Sequence, residues 1–103
     1  MTFAIRELAK DDRHGWEELW GGSLDFCQAA MEAVVIEVTW ARLLDPAEPM
    51  VALVAEDSET HALLGLVHCV FHRGTWAIHD LCYLEDLYVA PSARGRGVGR
   101  ALI

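Results

Sequence analysis

No stretch of the 103 residues approaches the roughly 18 consecutive apolar residues that a membrane-crossing helix needs. The start, Met1-Thr2-Phe3-Ala4-Ile5-Arg6, has no hydrophobic core of the kind a secretory signal carries. A soluble, cytoplasmic protein is expected. Positive charge is scarce: the formal net charge is −8, which argues against nucleic acid or an anionic membrane as the main partner and is compatible with a cationic small molecule. The cysteines Cys27, Cys69 and Cys82 are odd in number and lack CxxC spacing, so they read as buried reduced thiols. Cys82 invites a nucleophile reading, but no activating partner stands near it in sequence. Internal repeats and linkers are missing too, so residues 1–103 amount to one domain or less.

What is present is material for a core: 53% apolar residues and four tryptophans leave no case for disorder. Thr2 to Glu7 alternates as a first strand, with Phe3 and Ile5 on one face. Asp11 or Asp12 can cap the helix that follows, in which Trp16, Leu19, Trp20, Leu24 and Cys27 form an apolar stripe. Gly21-Gly22 is a point where that helix can kink. Met31 to Leu44 has strand-like residues, but its length and the set Met31, Val34, Val35, Val38 and Ala41 fit a second helix. Asp45-Pro46-Ala47-Glu48-Pro49 ends it. Met50–Glu56 and Ala62–Arg73 read as a hairpin around the polar turn Asp57–His61, with Gly65 marking a bulge or a close contact. His68 and His72, four apart on a strand, would lie roughly 13 Å from each other, too far to share a metal ion. No metal site is expected, and structural roles suit the histidines. The tryptophans read as core rather than as a substrate cage.

The stretch from Leu81 to Ile103 stands out. Leu81 to Val89 is a strand rich in aromatic and β-branched residues, stopped by Ala90-Pro91 because proline gives no N–H to a ladder. Arg94-Gly95-Arg96-Gly97-Val98-Gly99-Arg100 follows, then a helix start, Ala101-Leu102-Ile103. Residues 91–103 hold three arginines and no acid. Strand, glycine-rich turn and helix N-terminus together suit an anion such as a phosphate, through close backbone approach and unpaired N–H groups. Upstream lie two acids, Glu85 and Asp86. One reading is proton abstraction beside a phosphorylated cosubstrate; the other is a surface pair on a half-exposed strand. Alternation sets the two on opposite faces unless a bulge intervenes.

Arg94-x-x-Gly97-x-Gly99, after a Leu-Tyr-Val strand and Pro91, resembles the acyl-CoA signature of the GNAT N-acetyltransferases. Tyr83-Leu84-Glu85-Asp86-Leu87-Tyr88-Val89 is similar to the polyamine and diamine branch of that family. The resemblance implies an α/β (α+β) fold in the order β-α-α-β-β-β-α with a mostly antiparallel sheet. It also implies acetyl-CoA as cosubstrate and direct transfer of the acetyl group to a primary amine of a small, polyamine- or amino-acid-like acceptor. Glu85 would be the general base, with Asp86 a second choice better suited to a structural salt bridge. The backbone of Leu87, Tyr88 and Val89 would hold the pantetheine arm. Arg94, Gly95, Arg96, Gly97, Val98, Gly99 and Arg100 would hold the pyrophosphate. The family domain continues past this point, and the continuation includes one wall of the CoA cleft and a tyrosine that protonates the leaving thiolate. The expectation is therefore a domain truncated at its C-terminal side, whose open sheet edge a second copy would cover as a homodimer. The competing readings are a fragment that only dimerises or binds acyl-CoA, and a P-loop protein, which the lack of Lys-Ser/Thr after the glycines disfavours.

Overall fold

The chain turns back wherever a polar or proline-bearing stretch interrupts an apolar one, and the result is a sheet with a helical layer on each face. The structure, a computed structural model, describes residues 2–28 and 30–103. Among these, strands β1 (Phe3–Glu7), β2 (Met50–Asp57), β3 (Leu63–His72) and β4 (Leu81–Val89) form an antiparallel sheet in the order β1-β2-β3-β4. Helices α1 (Arg13–Phe26) and α2 (Ala33–Leu44) come between β1 and β2, and a short α3 (Val98–Leu102) follows β4. The expected order β-α-α-β-β-β-α and the antiparallel sheet are what the fold has.

The strand period of two divides the core. Val54 and Leu66, both with no exposed surface, meet Trp16, Leu19 and Trp20 of α1 on one face. Ala55 and Val67 meet Val98 and Leu102 of α3 on the other, with Phe3 and Ile5 packed alongside as the alternation of β1 predicts. Burying each such aliphatic side chain contributes about 1.5–3 kcal/mol. Gly65 lets α3 close on the sheet: a Cβ there would stand 3.1 Å from Val98 Cγ1 and 3.0 Å from the Tyr88 carbonyl oxygen. A register shift beside it makes Leu64 an extra residue in β3, so both readings of Gly65, bulge and close contact, hold.

The β2–β3 turn is closed by Asp57, whose buried carboxylate accepts the N–H groups of Glu59 (2.8 Å) and Thr60 (3.0 Å). Those N–H groups hold its carboxyl below the usual range. The Arg6 guanidinium on β1 donates to Asp12 at 2.7 and 2.8 Å and to Glu56 on β2 at 2.6 Å. Asp12 stands at the N-cap position of α1 but does not cap it with its side chain; it accepts the Ala9 N–H and the Arg6 pair instead. The expected aspartate cap is thus spent one turn earlier.

Several finer expectations are corrected. α1 runs unbroken through Gly21-Gly22, and Gly22 makes room for Tyr88, since a Cβ there would lie 2.7 Å from its hydroxyl. Cys27 sits past the last turn of α1 and is exposed, as is Cys82; Cys69 is half-buried. α2 packs through Ile36, Trp40 and Leu43, leaving Val34, Val35 and Val38 exposed. Its sequence is apolar on nearly all sides, so periodicity could not choose the buried face. Trp76 is solvent-exposed on the β3–β4 connection rather than core.

Candidate active site

β4 carries an irregularity at the two acids. His68 pairs with Asp86, but the next residue, Cys69, pairs with Leu84, so Glu85 is the extra residue of a β-bulge. An extra residue cancels one step of the side-to-side alternation. Glu85 and Asp86 therefore line one cleft of about 420 Å³, together with Trp20, Leu24, Met31, Thr39, Leu43 and His68. The walls are largely apolar, and the lining residues include two carboxylates and no lysine or arginine. Glu85 is exposed and Asp86 half-buried.

Behind the carboxylates lies a buried polar line. Trp16 Nε1 donates to His68 Nε2 at 3.0 Å, and His68 Nδ1 meets Asp86 Oδ2 at 3.0 Å. An indole N–H has no acceptor capacity, so His68 Nε2 must present its lone pair and the ring proton sits on Nδ1, donating to the carboxylate. Asp86 has a partner, as the structural reading expected, but through a neutral imidazole rather than a cation. In sequence His68 suits a structural role and Trp16 the core; the contact that joins them spans 52 positions, and no local pattern announces it.

β4 is also the outer strand of the described sheet. The Ala90 N–H turns inward to the Leu64 carbonyl (2.8 Å), so strand alternation turns the Tyr88 backbone inward as well. Leu87 and Val89 face outward, and the Val89 carbonyl is met from that side by Arg94 Nε at 3.1 Å. Of the three residues, two present backbone groups to the open edge, while the Tyr88 side chain packs on the α1 face.

A 3₁₀ turn over Pro91–Ala93 leads from β4 to the glycine segment. Gly95 (φ 83°) and Gly97 (φ 80°) are left-handed, the conformation glycine adopts without strain. Both are exposed, and a Cβ on either would meet no described atom within 4 Å. Gly97 is the N-cap of α3, and Ala101 is the residue whose N–H returns to its carbonyl, at 3.0 Å. The N–H groups of Val98, Gly99 and Arg100 thus belong to the first turn, where a helix offers no internal acceptor. The Val98 side chain is buried as the anchor of α3. Arg96 and Arg100 are exposed beside this turn, with Arg96 close enough to Asp57 to favour its ionised form. Arg94 folds back, its guanidinium 5.6 Å from the Tyr88 ring and 5.7 Å from that of Phe26.

The sequence model of the acetyltransferase (GNAT) family matches residues 4–103. The D-amino-acid N-acetyltransferase HPA3 of Saccharomyces cerevisiae is 33% identical over 99 residues, 96% of this chain and 62% of that protein. The chain thus spans less than two thirds of the length of this curated relative. Among solved structures, AAC(6')-Iy in complex with a CoA-containing bisubstrate analogue superposes with a TM-score of 0.80 at 18% identity, covering 99% of this chain and 67% of that one. A possible acetyltransferase of Clostridium difficile 630 gives 0.81 at 14% identity (99% and 66%), and the glucosamine-6-phosphate N-acetyltransferase of Arabidopsis thaliana 0.76 at 19% (99% and 69%). At these identities the structural likeness is one of fold.

Proposed function

The chain belongs to the GNAT acetyltransferase family, and from that premise we propose that it serves acetyl transfer from acetyl-CoA to a primary amine of a small molecule. The bulge at Glu85 carries the reading. It sets a carboxylate on the wall of an apolar-sided cleft, on the same strand whose outer edge presents the backbone of Leu87 and the Val89 N–H, the Val89 carbonyl being taken by Arg94. An alkylammonium has a pKa near ~10 and must lose a proton before its nitrogen attacks the thioester carbon. Glu85 takes that proton; the N–C bond forms, the C–S bond breaks, and CoA leaves as a thiolate that takes up the second proton shed by the acylated nitrogen. The edge N–H groups of β4 polarise the thioester carbonyl. The left-handed turn at Gly95 and Gly97, the first-turn N–H groups from Val98 to Arg100, and the charges of Arg96 and Arg100 receive the pyrophosphate. Arg94 braces the turn against β4.

Two acceptor classes are in view: a polyamine-like amine, suggested by the Tyr83–Val89 motif, and an amino acid, suggested by the yeast relative's own substrate. A cleft whose lining residues bear two carboxylates and no cation favours an acceptor without a carboxylate of its own. An acceptor screen with 1,4-diaminobutane, spermidine and D-amino acids decides between them. The base is tested by Glu85→Gln, which should lower turnover roughly 100-fold while leaving acetyl-CoA affinity, read by calorimetry, unchanged. Equal loss of both would contradict the assignment, and acetyl-CoA binding with no turnover of any amine would favour a binding module.

A further inference from the structure

The bulge explains why two carboxylates reach one cleft, but not why one of them is tied to a buried histidine and tryptophan. We propose that Trp16 and His68 are positioning residues that aim Asp86 as a second carboxylate for the acceptor's ammonium group, leaving proton removal to Glu85. The proposal rests on the acetyl-transfer reading for the identity of the cleft.

Three observations carry it. Trp16 is wholly buried and His68 is 3% exposed, so the pair sits where a polar contact is retained only if every group is satisfied. The directions are fixed, because the indole can only donate: His68 Nε2 accepts, Nδ1–H donates, and Asp86 Oδ2 accepts. A doubly protonated ring would set two N–H groups head to head at Nε2, so the line has room for one ring proton, on Nδ1. The Asp86 side chain keeps 26% of its surface, and the residue lines the same cleft as Glu85. A carboxylate held by one oxygen on the buried side, in a cleft lined by no lysine or arginine, suits a primary ammonium group.

The test uses the protein with 1,4-diaminobutane as probe. Long-range proton–nitrogen NMR should find His68 protonated at Nδ1 and bare at Nε2 near neutral pH; an Nε2–H or doubly protonated ring overturns the proposal. Two variants then separate the two bonds of the ring. His68→Asn keeps an N–H donor near the Nδ1 position, whereas His68→Gln keeps an acceptor toward Trp16 and loses the donor to Asp86. The Kd for the diamine should rise roughly tenfold in the Gln variant, the scale of one hydrogen bond to a charged group, and return close to wild type in the Asn variant. Equal Kd values in the two variants, or no diamine binding by wild type, overturn it. Acetyl-CoA binding on the same samples reads the acetyl-transfer proposal separately, and neither variant should change it.

Discussion

β3 and β4 lie side by side in antiparallel register and are both rich in apolar residues, yet one is buried and the other open. β3 runs from Leu64 to His68 without an exposed residue, while β4 is exposed from Leu81 to Glu85. Composition does not explain the difference; position does. β3 has strands on both edges and helices on both faces, so its backbone pairs on both sides and its side chains from Leu64 to His68 are packed. β4 pairs on one edge only among the described residues and is bulged at Glu85. An outer strand with free backbone groups is a liability for solubility and an opportunity for binding. The fold thus keeps stability on β3 and leaves the groups proposed to touch ligands on β4, joined across the strands by His68 and Asp86.

The strongest way to break this division is to cut the same side chain from each strand. Leu66→Ala removes a fully buried side chain between α1 and the sheet and should cost about 2–5 kcal/mol of unfolding free energy. Leu84→Ala removes one that is already 40% exposed and should cost under about 1 kcal/mol. Urea unfolding of both variants measures the contrast; similar losses would mean that β4 shares the core.

A smaller effect sharpens the comparison from the other edge. Arg6 donates to Asp12 and Glu56 and holds both carboxyls below their usual range. Carboxyls with depressed folded-state pKa values contribute stability that is present above their unfolded values, 3.8 and 4.5, and lost as pH falls through the folded ones. Arg6→Met should cost about 1 kcal/mol at pH 7, a modest figure because the guanidinium is partly solvated. Between pH 6 and pH 3 wild type should lose more stability than the variant, since the variant has no such pairs to lose. Parallel pH profiles would show that the Arg6 pairs contribute nothing.

The elements were legible because their boundaries are chemical: Pro46 and Pro49, the Asp57–His61 turn and Ala90-Pro91 each interrupt an apolar run, and β4 spans Leu81–Val89 as read. The glycine turn was legible for the same reason. What escaped were relations between distant residues. The buried face of α2 is not legible in sequence because valines surround a helix whose packing is decided by where it lands. The bulge at Glu85 is a property of the β3–β4 register, so the acid pair could be named from sequence but its shared cleft could not. The role of His68 depends on Trp16, far away in the chain, meeting one particular ring nitrogen.

The three glycines after β4 read in sequence as one device, but the structure separates them, and the smallest prediction turns on that. Gly97 is left-handed, so Gly97→Ala should cost about 1 kcal/mol through backbone strain even though no described atom would touch the new methyl. Gly99 has no left-handed torsion; it lies within α3, and a Cβ there would meet Val89 Cγ2 at 3.5 Å, an ordinary contact. By helix propensity alone Gly99→Ala should be neutral or stabilise by about 0.5 kcal/mol. Nothing among the described residues therefore requires glycine at 99, whereas a pyrophosphate lying against the first-turn N–H groups would. If that is its use, Gly99→Ala should weaken acetyl-CoA binding with no loss of stability, and Gly97→Ala should lower both. Unchanged acetyl-CoA affinity in a well-folded Gly99→Ala protein would remove Gly99 from the proposed site and leave the left-handed turn alone to carry it.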